Sequence, residues 1–456
     1  MRAASLDMTP SRSKVETVRS FIAVAAFTIW TSVCADVIFP ADVMWGLPVS
    51  QEQISTGAPA PAITIAREGG QVTITFTGTL QSANAVNGPW AVLSNAVSPF
   101  NVDLADDQGF FRTQQIEVEL ESVFSSHEIV DWTLTAPFQK YFELAFAGTP
   151  DGIFPPKREK PYFDGRVKMG DFDVPATLRV RGNSSLQECP FPKLKLKVSK
   201  EQRAGTPFFD AREIKIGTHC AEGGRGTIGR LRDERAAFRE ALAYETMGLI
   251  GFIAPRVRRA RIEYHDTTST NEAATVGWQL TRSGMILDDV EVVGERLGGR
   301  ALSDDEVAAL ETPNFDEQLI TDLQLLHALL GNWDYGLPLD GQGLWNTDVI
   351  ELADKKLVPV AGDFDLSSWV TEEVRLSAPH DYRPDLEEVE RQAHYEIEQI
   401  QKRVGATSFL ASSNRFALKR AAIEAQAATA QIDETGRTNA LRHVTAFFDA
   451  LGSAKP

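Results

Sequence analysis

The sequence is poor in cysteine and histidine and has no excess of basic residues. Its 456 residues include 3 Cys and 7 His, and 46 Lys and Arg are outnumbered by 63 Asp and Glu, for a net charge of −17 at pH 7. Without a chain-wide positive field the protein cannot displace the counterions of a nucleic acid or an anionic membrane, so we expect neither partner. No histidines fall at a zinc-ligand spacing, so we predict no structural zinc.

Long hydrophobic runs are also scarce. An apolar run, FIAVAAFTIWTSVCA, follows a basic N-terminal stretch and ends in small residues. It is too short for a confident membrane span and has the length of a signal peptide, so we predict cleavage after Ala35 and export to the periplasm, the cell surface or the medium. An uncleaved membrane anchor is the alternative.

Export changes the meaning of the cysteines. If Cys34 leaves with the signal, Cys189 and Cys220 remain. An even pair in an oxidising compartment predicts one disulfide, and two isolated buried thiols are the alternative.

The rest of the chain divides by composition. Residues 36–61 are rich in Pro, Ala, Ser and Gly and predict a linker. Residues 62–115 alternate polar with β-branched or aromatic residues between turn signals, which predicts a small all-β, sandwich-like accessory module. Residues 116–456 combine strands with helical regions at 233–248, 314–330 and 385–453, so this domain is predicted to be α+β. In the second region Asn314 is the predicted cap, leucines line one face, and Gly331 ends the helix.

The tetrapeptide GDFD occurs twice, at 170–173 and 362–365. The first copy is predicted to be the turn of a hairpin. The second follows an apolar strand, LVPVA, and strand alternation would point Asp363 and Asp365 to the same face. Two such carboxylates repel unless a cation lies between them, and an all-oxygen ligand set favours magnesium.

Residues upstream extend this candidate site. Asp334 and Asn346 precede Asp363 in the order Asp, Asn, Asp. Protein kinases use this order for a base near the accepting hydroxyl, an amide on the metal and a carboxylate on the metal.

A candidate phosphate-binding segment lies between two predicted strands. A Gly-Asn-Ser-Ser turn precedes Lys193, Lys195 and Lys197, which share one face of a strand, although an exposed edge strand would show the same alternation. Arginines are dense further on and predict a polyphosphate site, where Glu240 or Glu245 could pair with a lysine. These arginines are Arg230, Arg232, Arg235, Arg239, Arg256, Arg258, Arg259 and Arg261.

Together these segments resemble the CotH kinases, which are atypical secreted or spore-coat protein kinases. The resemblance covers residues 150 to 450 and rests on RGNSS before a lysine strand, on DERAAFREALAYETMGLIGFIAPRVRRARI, on GNWDYGL and on VAGDFDLSS. It implies a two-lobed kinase-like domain with ATP between the lobes, Mg²⁺, and phosphoryl transfer to Ser or Thr hydroxyls of a partner protein.

The resemblance also implies roles for individual residues. Asp334 corresponds to the catalytic aspartate, Asn346 and Asp363 to metal ligands, and Asp365 to a further carboxylate at the metal. Lys195, or its neighbour Lys193, would contact the α and β phosphates. The remaining nucleotide-binding candidates are Arg181, Asn183, Ser184, Arg239, Glu240 and Asp288.

Two other functions fit the same residues. A glycosyltransferase could use the second GDFD to hold a sugar nucleotide through a metal, but it would need a doubly wound sheet before that motif. A surface scaffold with a kinase-like but non-catalytic domain is the other alternative.

Overall fold

The computed structural model describes most of the chain after residue 62. The described ranges are 63–68, 71–76, 79–83, 89–93, 96–102, 110–114, 120–146, 160–182, 191–217, 235–268, 277–311, 314–337, 344–374 and 378–454. The predicted signal and linker lie outside these residues, as do Asn183, Ser184, Cys189 and Cys220. Export, the disulfide and the roles of those two turn residues therefore stay predictions.

The described residues between 63 and 114 form the antiparallel strands that the alternation predicts. Their strands are β1 (Ile63–Glu68), β2 (Gln71–Phe76), β3 (Thr79–Ala83), β4 (Ala91–Val92), β5 (Phe100–Val102) and β6 (Phe110–Gln114). They pair as two three-stranded sheets, in the orders β1-β2-β5 and β4-β3-β6. Ile74 and Leu80, one from each sheet, are buried.

A closed seven-stranded barrel follows. Its strands are β7 (Val130–Ala136), β8 (Phe163–Met169), β9 (Phe172–Val180), β10 (Leu194–Lys197), β11 (Glu213–Gly217), β12 (Val257–Asp266) and β13 (Gln279–Asp288), in the order β10-β11-β13-β12-β7-β8-β9. Neighbours are antiparallel except β7 and β12. The first GDFD makes the turn between β8 and β9, with Gly170 at φ 56°, so its prediction as a hairpin turn is confirmed.

The barrel interior explains the lysine pattern of β10. Leu194 and Leu196 point inward and are fully buried in a core that includes Trp132 and Phe208, whose rings meet edge to face at 5.6 Å. Alternation then places the lysines on the outer face. Because β10 pairs with β9 on one side and β11 on the other, the edge-strand alternative is wrong.

The remaining elements are mostly helical. The helices are α1 (Phe138–Phe146), α2 (Lys200–Arg203), α3 (Ala236–Ile250), α4 (Val290–Arg296), α5 (Asp304–Ala308), α6 (Glu317–Leu330), α7 (Ser368–Thr371), α8 (Glu388–Arg403), α9 (Ala406–Thr429) and α10 (Glu434–Ser453). A small sheet adds β14 (Arg300–Ala301), β15 (Thr347–Glu351) and β16 (Leu357–Ala361). The fold is therefore α+β. No helix in the described ranges is long and apolar enough to cross a membrane.

Helix α6 is more deeply buried than its sequence predicts. Leucines on one face were expected to pack, but residues 320–327 are buried on all sides because α8, α9 and α10 surround the helix. The helix is capped by Asp316 instead of Asn314, and it ends as predicted at Gly331, which has φ 59°. A glycine is favoured there because other residues rarely adopt this conformation.

A buried ion pair holds α3 to the C-terminal helices. The Arg239 guanidinium donates to both carboxylate oxygens of Asp433 at 2.8 Å, to Glu372 at 2.7 Å and to the Val370 carbonyl at 3.2 Å. Asp433 also caps α10. Burial raises the pKa of Asp433, but the hydrogen bonds from Arg239 and the Gly436 amide outweigh it and lower the pKa to about 2.

We expect Asp433→Ala to lower the free energy of unfolding by about 3 kcal/mol, because it leaves a fully buried guanidinium short of a partner. Urea denaturation would measure this. Asp449→Ala, which removes the exposed partner of Arg420, is the control and should cost less than about 1 kcal/mol. Equal losses in the two variants would show that the Arg239 network does not stabilise the fold.

Candidate functional site

The hairpin of β15 and β16 brings two predicted metal ligands together. Thr347 pairs with Ala361, so Asn346 and Gly362 meet at the open end, where the Gly362 N–H donates to the Asn346 carbonyl at 2.9 Å. Asp363 follows directly. Asn346 and Asp363 have φ values of 52° and 56°, in the left-handed region that non-glycine residues rarely occupy. Such strained positions are concentrated at functional sites.

The loop after α6 adds the predicted catalytic residue. The Asn346 side-chain amide donates to the Asp334 carboxylate at 3.1 Å and to the Asp334 carbonyl at 2.8 Å. A backbone hydrogen bond from Gly336 to Trp345, 3.2 Å long, joins the same two segments. Asp334, Asn346 and Asp363 are therefore close together in the fold, although they are far apart in the sequence.

A buried histidine packs against this loop and hydrogen-bonds to it. His327 lies on α6, stacks on Tyr335 at 3.7 Å, and accepts a hydrogen bond from the Asn332 side chain at 3.0 Å. Asn332 in turn accepts the Asp334 N–H at 3.2 Å. Burial lowers the pKa of His327 to about 3, so the ring is neutral and Nδ1 can accept. The sequence carried no spacing signal that would have assigned this role.

The second GDFD does not continue β16, the strand that precedes it. The strand ends at Ala361, and Phe364–Leu366 form a 3₁₀ turn, so the strand alternation predicted for Asp363 and Asp365 is wrong. The turn nevertheless directs both carboxylates to one cation, which is the Lys193 ammonium, at 2.7 and 3.0 Å. Asp365 is buried, whereas the Asp363 side chain is 45% exposed.

Lys193, and not Lys195, therefore reaches the second GDFD. The Lys195 ammonium lies instead among three carboxylates: Asp289 at 2.6 Å, Glu213 at 2.9 Å and Glu291 at 3.8 Å. These acids are close enough to one another for a cation site, but the lysine already supplies the cation. The prediction that Lys195 contacts the phosphates thus has no support in the geometry, and the neighbouring option is the better one.

Asp288, which was predicted to contact the nucleotide, pairs with arginine side chains instead. It is completely buried, and its carboxylate accepts hydrogen bonds from Arg256, at 2.7 and 3.1 Å, and from Arg296. This places a structural ion-pair cluster at the end of β13, where the sequence predicted a nucleotide contact.

The arginines predicted to surround phosphates are largely matched by protein groups. Arg259 makes a two-pronged pair with Glu245 at 2.7 and 2.9 Å, and Arg239 is held by Asp433 and Glu372. Arg258 donates to the carbonyls of Glu128 and Val123, and Arg261 pairs with Asp131, while Arg230 and Arg232 lie outside the described residues. The local basic density therefore mainly neutralises buried carboxylates and caps carbonyls.

Glu240, one of the two acids considered as a lysine partner, completes the cluster around Lys193. Helix α3 buries its carboxyl group fully. Burial raises the pKa of Glu240 to about 8; the positive charge of Lys193 opposes the shift, and the Asp365 and Asp363 charges add to it. Burial lowers the pKa of Lys193, but the charges of Asp363, Asp365 and Glu240 outweigh it and raise that pKa. At neutral pH the lysine is thus charged and the glutamic acid is largely protonated.

A scan against family models found no match to this chain, and a search of the curated proteins found none either. What the site does has therefore to be inferred from its residues and their geometry.

The raised pKa of Glu240 predicts a pH-dependent stability. Between the ordinary value of 4.5 and about 8 the folded protein binds more protons than the unfolded chain, so this contribution is complete below pH 4.5 and is lost as pH rises through 8. Glu240→Gln should reduce the fall in unfolding free energy across this window by up to about 1.4 kcal/mol per pH unit.

Urea denaturation at a series of pH values would measure the slope for wild type, Glu240→Gln and the exposed Glu388→Gln. The Glu388 variant should keep the wild-type slope. If the Glu240 variant keeps it too, the buried carboxyl does not titrate in this range.

Proposed function

We propose that this protein is a magnesium-dependent phosphotransferase that transfers the γ-phosphoryl group of ATP to a Ser or Thr hydroxyl of a partner protein. The observation that carries the proposal is the convergence of Asp334, Asn346 and Asp363 beside the buried Lys193. We further propose that the β7–β13 barrel and the helical part act as the two lobes of a kinase-like domain. An exported enzyme of this kind fits the predicted signal peptide.

The donor set suits magnesium. The Asn346 nitrogen is used by Asp334, which leaves the amide oxygen as the atom for a metal, and the half-exposed Asp363 carboxylate is the second oxygen donor. Mg²⁺ keeps several waters and is commonly held by one or two carboxylates together with substrate phosphates. Asp365 is buried against Lys193, so we assign it to orienting the lysine instead of binding the metal.

The roles of the protein groups follow from these contacts. Mg²⁺, when bound, would neutralise charge on the transferring phosphoryl group. The Lys193 ammonium would exchange its contact with Asp363 for a phosphate oxygen while Asp365 keeps it in place. Asp334, held by Asn346, would orient the acceptor hydroxyl and take its proton as the new oxygen–phosphorus bond forms and the bond to the β-phosphate oxygen breaks.

The glycosyltransferase alternative receives less support. The second GDFD ends an antiparallel hairpin, and the large sheet before it is an antiparallel barrel with one parallel pair, whereas that alternative predicts a doubly wound sheet. The scaffold alternative remains as an outcome of the binding experiment.

That experiment compares ligand-induced thermal shifts in the wild type and in Asp363→Ala. A ligand that binds the folded state raises the melting temperature by mass action. We expect ATP with Mg²⁺ to raise it in the wild type and to have no effect in Asp363→Ala. The matched control is Asp171→Ala in the first GDFD, an exposed turn, which should keep the wild-type response.

Other results would redirect the proposal. A shift with a sugar nucleotide and Mg²⁺, but not with ATP, would favour the glycosyltransferase. Absence of any nucleotide response in the wild type would favour the scaffold.

Asp334→Asn tests the chemical role separately from binding. The amide cannot take the hydroxyl proton, so we expect nucleotide-induced stabilisation to persist while phosphoryl transfer to a Ser/Thr-rich protein falls by about 10² to 10⁴. Transfer of radiolabelled phosphate would measure it. Asp348→Asn, an exposed change on the same hairpin, should leave the rate intact, and an active Asp334→Asn variant would show that another group accepts the proton.

A further inference from the structure

A buried tyrosine contacts the proposed metal ligand through its backbone. Tyr244 lies on α3, one turn after Glu240, and is 3% exposed. Its hydroxyl oxygen accepts the Asp363 N–H at 2.8 Å. Its ring meets Phe364 edge to face at 4.8 Å, so both the hydroxyl and the ring hold the start of the GDFD turn.

This contact falls where the backbone is least favourable. Asp363 has φ 56° and ψ 55°, a left-handed conformation that a residue with a Cβ adopts only when its surroundings enforce it. The ladder of β16 has ended at Ala361, so the Asp363 N–H has no strand partner. A shielded N–H needs an acceptor, and the tyrosine hydroxyl supplies it.

The hydroxyl is suited to accepting this bond. A phenol oxygen has lone pairs that accept hydrogen bonds, and the 2.8 Å contact with the Asp363 N–H uses one of them. The rigid helix that carries Glu240 thus also carries the support for Asp363.

We propose that Tyr244 is a positioning residue: its hydroxyl holds Asp363 in the left-handed conformation in which the carboxylate contacts Lys193 and stays open to Mg²⁺. The proposal rests on the phosphotransferase function proposed above. Asp363 provides the metal ligand, and Tyr244 acts on the metal only through the backbone of that residue.

Tyr244→Phe removes the hydroxyl and keeps the ring packing against Phe364. Tyr264→Phe is a matched control, because Tyr264 is fully buried in the barrel core and its hydroxyl has no partner among the described residues. In both variants we would titrate Mg²⁺ at saturating ATP and record the melting temperature and the rate of phosphoryl transfer. We expect the half-saturating Mg²⁺ concentration to rise about fivefold in Tyr244→Phe only, with little change in the rate at saturating Mg²⁺.

A merely structural role would lower the melting temperature without ligand and leave the Mg²⁺ midpoint unchanged, and that result would overturn the proposal. A wild type without any response to ATP and Mg²⁺ would instead refute the proposed function. In that case a crystal structure of Tyr244→Phe decides the conformational claim: Asp363 leaving the left-handed region supports it, and an unchanged φ overturns it.

Discussion

The buried ammonium of Lys193 is the interaction on which the site depends. Asp363 and Asp365 emerge from one tight turn, and two carboxylates that close need a positive charge. Lys193 lies at 2.7 and 3.0 Å from them and comes from the outer face of the barrel, so the same contact neutralises the turn and joins the barrel to the helical part. Removing the lysine or its carboxylate partners alone would leave a buried charge unpaired, and an unpaired buried charge destabilises the fold.

Helix α3 gives this contact its fixed geometry. Three of its residues face the segment from Asp363 to Glu372: Arg239 binds the end of that segment, Glu240 lies beside Lys193, and Tyr244 holds the Asp363 backbone. A rigid helix can place three such groups more reproducibly than a loop can. Movement of α3 would therefore shift Glu240, its contact with Lys193 and the backbone of the proposed metal ligand Asp363 together.

The sequence predicted local features better than contacts. The hairpin turn at the first GDFD, the lysine face of β10 and the end of α6 at Gly331 follow from alternation and turn chemistry, which are local. Closure of the barrel, and the choice between Lys193 and Lys195, could not be predicted because strand pairing depends on residues far apart in the chain. The protein partners of the arginines could not be predicted for the same reason, because the carboxylates that pair with them are distant in sequence.

The charges at the site give a physical reason for the proposed dependence on metal. The carboxylates around Lys195 neutralise its positive charge. Lys193 and Arg181 are the cations that act on Glu240. Asp334 and Asp363 both lie beside Asn346. A triphosphate alone would meet those carboxylates with too little positive charge to offset its own. A divalent ion held by Asp363 and Asn346 would offset that repulsion, so the charges around Lys193 support the proposal that a nucleotide binds together with its metal.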